Sequence, residues 1–518
     1  VTSMRNPLRY RVFYTTRQRI VTSTLVLALL AWGTVTVVRR VTTPEDRSCA
    51  PGVVRPVGSD ECVGVATAGD GYAFGADGLT QVAAAIGREN ASLEDGEYAT
   101  IALLLPLTSA DAGLRTKMRH ELQGAFAQQY RANRQNNEAP KIRLLLANTG
   151  KDNTHWKVPV EQLKTMTGAP HHLRAVSGIA TSSTAVRSAV GELTGAGIAP
   201  VGTTITADDI ANGPGGSPYP GLARVSPTNG DEARALAHFG RVDAAKALLV
   251  HDTRTGDHYT DTLKDAFSAL LARSPYEPQL FTSDEDPNAE GTTANTFRQI
   301  THLVCDTRAE TIFFAGRHVQ LRQFVNALGA RGCKDRAFTV LTGDEGSYLG
   351  ADPQLDRSAL EKGLTVRYAA LAHPDAWRAR DGYEAPATGG STAAYDTFVR
   401  TLAEVAKAPA GPIGPTALAD GQAIIAYDAL GAAVRAVREA TPAGRHLPPV
   451  ADVARQWPQV KGSLKVQGAS GWICLDNYGN PYNKAVPVVQ VTRGTPVFVA
   501  MAWPEGKPPS EDCLPPRQ

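Results

Sequence analysis

The first 40 residues contain no Asp or Glu, yet they hold seven arginines, at positions 5, 9, 11, 17, 19, 39 and 40. The remainder carries 46 basic against 51 acidic residues, a mildly acidic body that argues against a nucleic-acid partner. Six cysteines occur without a C-x-x-C, so zinc ribbons and thioredoxin chemistry have no support. G-x-S-x-G, H-E-x-x-H and a P-loop are also missing. His120-Glu121 lacks a second histidine four residues on, where Gly124 stands, and His155, His171 and His172 fall in expected loops without spaced partners. An enzyme is therefore not expected, and neither is a metal or cofactor. Gly (48) and Pro (34) are near ordinary usage, so the chain is not low-complexity, and 518 residues at 42% hydrophobic suffice for two or three cores.

What is present begins with Ile20 to Val38, an uncharged run of 19 residues. As a helix rising about 1.5 Å per residue it would be about 28 Å long, close to the hydrocarbon thickness of a bilayer. Five arginines precede it and two follow, which predicts residues 1–19 in the cytoplasm, an anchor at 20–38 and everything beyond outside the cell. A cleaved signal peptide is the rival reading, but no A-x-A site follows the apolar run, and Cys49 is preceded by Asp46, Arg47 and Ser48, unlike a lipoprotein cleavage site. An outside location suits disulfides. The cysteines fall as Cys49/Cys62, Cys305/Cys333 and Cys474/Cys513; other pairings are formally open, and nearest-neighbour bridging is the simplest.

Residues 39–97, rich in Pro, Gly and acids, read as an extracellular stalk with a short amphipathic helix around Leu79 to Ile86. From residue 98 apolar runs of strand length alternate with helical segments. Strands are expected at Tyr98–Leu105, Ile142–Ala147, Ala175–Ile179, Ile198–Val201, Lys246–His251, Thr311–Phe314 and Ala337–Leu341. Helices are expected at 116–131, 158–166, 185–196, 259–272, 319–328, 392–405 and 421–439. This rhythm indicates parallel α/β sheets with crossover helices, whose ligands sit at the C-terminal ends of strands. Leu364 to Ala372 reads as a return to the first unit, and Ser470 to Ala500 as β-structure.

Val176 to Val186, VSGIATSSTAV, is the stretch with most chemical content: a strand end, a glycine, then small hydroxyl residues opening a helix. The first N–H groups of a helix lack intrahelical partners and carry the positive end of its dipole, so an anion can be held there. Ser182, Ser183 and Thr184 would add hydroxyls, although such residues also serve as ordinary N-caps.

Together with this loop, PLTSADAG after the first strand, RVSPTN, AYDA and SGWICLDNYGNPYNKAVPVVQV resemble, in order, the type I periplasmic binding proteins. The nearest likeness is the branched-chain amino acid and amide-binding group, over roughly residues 98–500. The resemblance implies two Rossmann-like lobes joined by three crossing segments, preceded here by the N-terminal transmembrane helix. It divides the chain into a first lobe at 98–223 and 367–464 and a second at 224–366, with 465–518 completing the second lobe and forming the tail. It assigns Ser182, with Ser183 beside it, to a ligand carboxylate, and Thr204 and Thr206 to carboxylate and ammonium. Tyr259 would line the second lobe, although Thr260 replaces the glycine that usually follows. Glu345 would accept an α-ammonium, with Asp344 as a substitute. Arg317 and His318 stand where aromatic residues are usual, which suits a more acidic or polar ligand. Thr108 and Ser109 are further possible donors.

The implied function is that of a cell-membrane, single-pass protein, mostly extracellular, that closes on a small amino-acid-like or amide ligand for an ABC importer and its permease. The alternative is a tethered sensor or adaptor that signals to another membrane protein without transport.

Overall fold

The computed structural model describes residues 15–42, 46–94, 96–135, 138–284, 292–361 and 363–516. The chain divides into two compact units, one holding the N-terminal helix and the other running from Cys49 onward. The helix is continuous from Thr16–Thr42, and Ile20, Leu27, Leu29, Leu30 and Trp32 are all exposed on it. Among the described residues no helix is long and apolar enough to cross a membrane. Residue 33 and residues 35–42 are described as backbone only, so the side chains of the expected anchor are covered in part.

In the larger unit two parallel-rich sheets each carry helices on both faces. In the first sheet Tyr98–Leu105 lies between Lys141–Asn148 and Leu173–Ser177, with Ala199–Gly202 and Ala223–Arg224 beyond, all parallel. All eight residues of Tyr98–Leu105 are buried, as a strand covered on both faces requires. In the second sheet Ala247–Asp252 pairs with Gln279–Phe281 on one side and Thr311–Ala315 on the other, followed by Phe338–Thr342 and Leu364–Ala369. Val486–Val491 and Val497–Ala502 complete it antiparallel. Leu364–Ala369 therefore belongs to the second sheet, and the return to the first lobe begins after it, contrary to the sequence reading. The helices Thr392–Val405 and Gln422–Glu439 then pack on Ala112–Asn133 in the first lobe.

The expected stalk is also corrected. Val63–Val65 adds antiparallel to Lys141–Asn148, and Val53, Phe74, Leu79, Val82 and Ile86 are buried in the first lobe's core. Asn90 ties the segment down, its amide donating to the carbonyls of Gly69 and Leu144. Within the 39–97 segment the strands are too short to leave a periodicity, and their Gly and Pro punctuation resembles a linker.

All three cysteine pairs form as nearest neighbours, Cys49–Cys62, Cys305–Cys333 and Cys474–Cys513. Their sequence separations of 13, 28 and 39 differ threefold. Loop-closure entropy depends on the logarithm of length, so the three should differ by only about 1 kcal/mol. Each double Cys→Ser variant is expected to lose about 2–4 kcal/mol in denaturant titration.

Candidate ligand-binding cleft

In an open α/β sheet, loops diverge from the strand ends where the strand order reverses, which leaves a crevice there. Each lobe has such a point. In the first it lies between Tyr98–Leu105 and Leu173–Ser177, and in the second between Ala247–Asp252 and Thr311–Ala315. The loops leaving these strands carry Pro106, Thr181, Ser182 and Ser183 on one side and Asp257 and Arg317 on the other. Gly178 has φ of 92°, and a Cβ there would lie 3.0 Å from the Leu105 side chain, so glycine is needed to turn the chain toward the cleft.

Between the lobes is a cavity of about 90 Å³. Of the expected residues, Ser182, Ser183, Thr204, Thr206, Tyr259, Arg317 and Glu345 all line it, as do His318 and Asp344. Ser109 does not. It is buried before the Ala112–Asn133 helix, where its hydroxyl accepts the Asp111 N–H and its carbonyl accepts from Arg115. Thr108 is likewise engaged locally, with the Asn148 amide.

Ser183 is the N-cap of the Thr184–Gly195 helix, its hydroxyl accepting the Val186 N–H. Ser182 Oγ accepts the Ala207 N–H at 3.2 Å. Both hydroxyl oxygens act here as acceptors, so each keeps its proton to donate. Thr204 spends its proton, donating to the Ala180 carbonyl at 2.7 Å. Lys117 Nζ donates to that carbonyl at 2.8 Å and has two further N–H groups.

The second lobe contributes charge. Arg317 donates from Nε and Nη2 to Asp257 at 2.8 and 2.7 Å, and from Nη1 to Glu345 at 2.7 Å, while its guanidinium lies 4.7 Å from the Tyr259 ring centroid. The other Glu345 oxygen accepts from the His318 N–H at 3.2 Å and His318 Nδ1 at 2.8 Å. Burial alone would raise the Glu345 carboxyl, but Arg317 and His318 outweigh it and hold it well below the usual carboxylate range. Asp257 shows the same contest, burial being overcome by Arg317. Arg317 is thus not a free cation at the cleft wall, and Glu345 is not a free anion. Tyr259 is buried beneath Arg317, and its hydroxyl accepts the Glu345 N–H at 3.3 Å.

Direct bonds bridge the lobes. His258 Nδ1 meets Asp209 at 2.5 Å and its Nε2 meets Thr184 Oγ1 at 3.2 Å. Thr206 Oγ1 donates to Asp344 at 3.5 Å, and Arg317 Nη2 donates to the Ser182 carbonyl at 3.5 Å. Sequence reasoning missed Lys117, Asp257, His258 and Tyr348. Asp257 had a visible signal as the N-cap of His258–Leu270. Lys117 sits within a helix and had none. Among the described residues no group of three or more His, Cys, Asp or Glu is placed to hold a metal ion.

Two lobes with a cleft at paired switch points define a two-lobed α/β fold, and comparison with solved structures places it. A leucine-binding protein from Thermotoga maritima matches with a TM-score of 0.55 at 16% identity, over 79% of this chain and 100% of its own. A branched-chain amino acid substrate-binding protein from Streptococcus pneumoniae, solved with isoleucine, matches at 0.53 and 11% identity, over 78% and 99%. A solute-binding protein from Rhodopseudomonas palustris, solved with p-hydroxybenzoic acid, matches at 0.52 and 14%, over 78% and 96%. No family model matches the sequence, and no curated protein does. The chain has the type I periplasmic binding protein fold, shared with substrate-binding proteins of ABC transporters.

Proposed function

We propose that the protein is a membrane-tethered extracellular binding protein that closes its two lobes on a small amino-acid-like or amide ligand for an ABC importer. The observation that carries this is the interlobe cavity, which joins hydroxyl donors at a helix N-terminus in one lobe to charged groups in the other. Proteins of this fold are solved with leucine, isoleucine and p-hydroxybenzoic acid, which supports a small carboxylate-bearing ligand. Hinge closure gives such a cleft its function, since a ligand shifts the two states only by its differential affinity for the closed one.

The Thr16–Thr42 helix supports the tether: its sequence is uncharged from Ile20 to Val38, and the described apolar side chains are exposed. Three disulfides suit an oxidising exterior. The same helix favours a second reading, a sensor that passes closure to another membrane protein, because the tether is a protein segment able to contact a partner within the bilayer. Crosslinking along residues 20–38 separates the two: a permease as partner supports transport, and a signalling protein supports sensing.

The test is a melting screen of the oxidised full chain in detergent against amino acids, amides and short carboxylates. A ligand at a hundredfold over its Kd adds about 2.7 kcal/mol of stability. Ser182→Ala is expected to weaken binding of the best amino acid or amide at least about tenfold, or 1.4 kcal/mol, read by calorimetry. Silence across the panel, or unchanged affinity in the variant, would count against this cleft.

A further inference from the structure

We propose that Lys117 pairs with an acidic group of the ligand, so that the cleft takes a carboxylic acid in preference to the primary amide of the same shape. This rests on the binding role proposed above and decides between the acid and amide classes within it.

The inference begins from which cations of the cleft are already matched. Arg317 is bonded to both oxygens of Asp257 and to Glu345, so its charge is compensated within its own lobe. His318 has Glu345 at 2.8 Å and Asp111 at 3.9 Å. Lys117 differs. It is 5% exposed and lines the cavity, and among the described residues its ion-pair neighbour is Glu121, one helical turn on at 4.0 Å. That separation is too long for a hydrogen bond. The hydrogen bond that Nζ does make goes to a neutral acceptor, the Ala180 carbonyl, at 2.8 Å.

Glu121 does not supply the missing charge. A hydroxyl has one proton to give, and Thr204 spends its own on the Ala180 carbonyl at 2.7 Å. At the 3.3 Å contact between Thr204 Oγ1 and Glu121 Oε1 the hydrogen therefore belongs to the carboxyl, which is protonated. Its Oε2 is buried and, among the described residues, has no hydrogen-bond partner, a state that costs a carboxylate far more than a neutral acid. Burial, working against the nearby Lys117 charge, pushes the Glu121 carboxyl up to about 8, in agreement with this proton count. Lys117 is left as a buried ammonium beside a neutral acid, with two N–H groups to spare. A ligand carboxylate removes the cost of that uncompensated charge, and an amide brings no charge to do so. The Ser182 and Ser183 hydroxyls can donate to an acid and an amide alike, so the discrimination falls to Lys117.

The same pair sets a pH limit. Facing Glu121 are Lys117 from its own helix, Thr204, Tyr348, and Asp420 from the turn before Gln422–Glu439, which His120 contacts at 2.5 Å. Asp344 lies across the cavity within reach of the Lys117 charge. As pH rises through about 8, Glu121 loses its proton to solvent, matches Lys117 and repels the acid of the ligand. The liganded state holds the Glu121 proton more tightly than the free one, so affinity for an acid is full below that value and falls above it. Ionisation of Glu121 should weaken acid binding about tenfold between about pH 7 and about pH 9.

The test uses the oxidised full chain in detergent, titrated calorimetrically with pairs that differ in one carboxyl. The pairs are aspartate and asparagine, glutamate and glutamine, succinate and succinamate, and each proteinogenic amino acid beside its α-amide. At least one acid should bind at least about tenfold tighter than its amide at about pH 7. Lys117→Met should lower that acid-to-amide ratio at least about tenfold, and Lys117→Arg, which keeps a cation, should retain most of it. Between about pH 7 and pH 9 the wild type should lose about tenfold more acid affinity than Glu121→Gln, in which the neutral state is fixed. Amides that bind as well as their acids in every pair, or a ratio that survives Lys117→Met, would overturn the assignment to Lys117 and leave the binding role standing. Silence from every probe would overturn both.

Discussion

Replacing Arg317 with alanine is expected to destabilise the protein by about 3 kcal/mol at neutral pH. Removing one partner of a buried charge group leaves the others uncompensated, typically at a cost of about 3–5 kcal/mol. Here two carboxylates lose their partner, Asp257 and Glu345. The lower end applies because Arg254 still contacts Asp257, His318 still contacts Glu345, and the Arg317 side chain keeps 17% of its surface exposed. The pH dependence identifies the cause. In the wild type both acids have depressed folded pKa values, so their stabilisation is present above the unfolded carboxylate range and is lost as pH falls through the folded values. In the variant those folded values rise, and ionising the acids near neutrality becomes a cost. The gap between the two proteins should therefore be widest at neutral pH and narrow as pH falls through the raised values of the variant and on toward the depressed values of the wild type. Arg317→Lys should recover only part of the loss, since an ammonium cannot span Asp257 with two parallel bonds as Arg317 does. Urea titrations at several pH values check this; a loss independent of pH would mean that Arg317 acts through its contact with the Tyr259 ring instead.

Asp428→Ala is expected to cost a similar 3–5 kcal/mol for a different reason. Asp428, on the Gln422–Glu439 helix of the first lobe, accepts the N–H groups of Ala469 and Ser470 and the Ser470 hydroxyl, pinning the chain where it turns back toward the second sheet. Lys484 Nζ donates to the Ser470 carbonyl at 2.6 Å and its hydroxyl at 2.9 Å, so the three form one buried network at the last crossing. Burial lowers the Lys484 ammonium to about 8, against the opposing charge of Asp428. Without Asp428 that charge is uncompensated. The sign is again testable. A lysine with a depressed folded pKa leaves the unfolded state holding more protons between the folded and unfolded values, so stability rises with pH across that window. Without Asp428 the folded-state value falls further, so part of the deficit should return as pH rises toward about 8, where the wild-type lysine also loses its proton, and a deficit that stays constant up to about pH 8 would exclude Lys484 as its source.

Much of the fold was legible in the sequence because its parallel strands are covered on both faces. Tyr98–Leu105 and Thr311–Ala315 are short unbroken apolar runs between helical segments. The Thr184–Gly195 helix announced itself by the small hydroxyl residues before it. The helix Asn229–Gly240 was missed although Thr228 and Asp231 form a capping box, because its Ala and Gly content gave little apolar contrast. The strands between Val53 and Val65 were too short to show a period.

The site was legible in its parts and not in its pairings. Arg317 and Glu345 were both visible as chemistry, but nothing in the sequence joins Arg317 to Asp257, 60 residues away. That pairing arises because both leave neighbouring strands at the switch point of the second sheet, a fact of topology rather than of spacing. It changes the reading of the cleft: an arginine expected to attract an acidic ligand is neutralised by its own lobe, and the acid expected to take the ammonium is occupied by it.

Closure of the two lobes on a ligand is tested most directly by the distance between them. Ser188 on the Thr184–Gly195 helix and Ser268 on His258–Leu270 are exposed, and among the described residues no cysteine is free, so Ser188→Cys and Ser268→Cys can carry a spin-label pair. Closure predicts a broad distribution with longer distances in the ligand-free chain, and a single narrower and shorter one once an amino acid found to bind by calorimetry is saturating. Identical distributions with and without that bound ligand would contradict it.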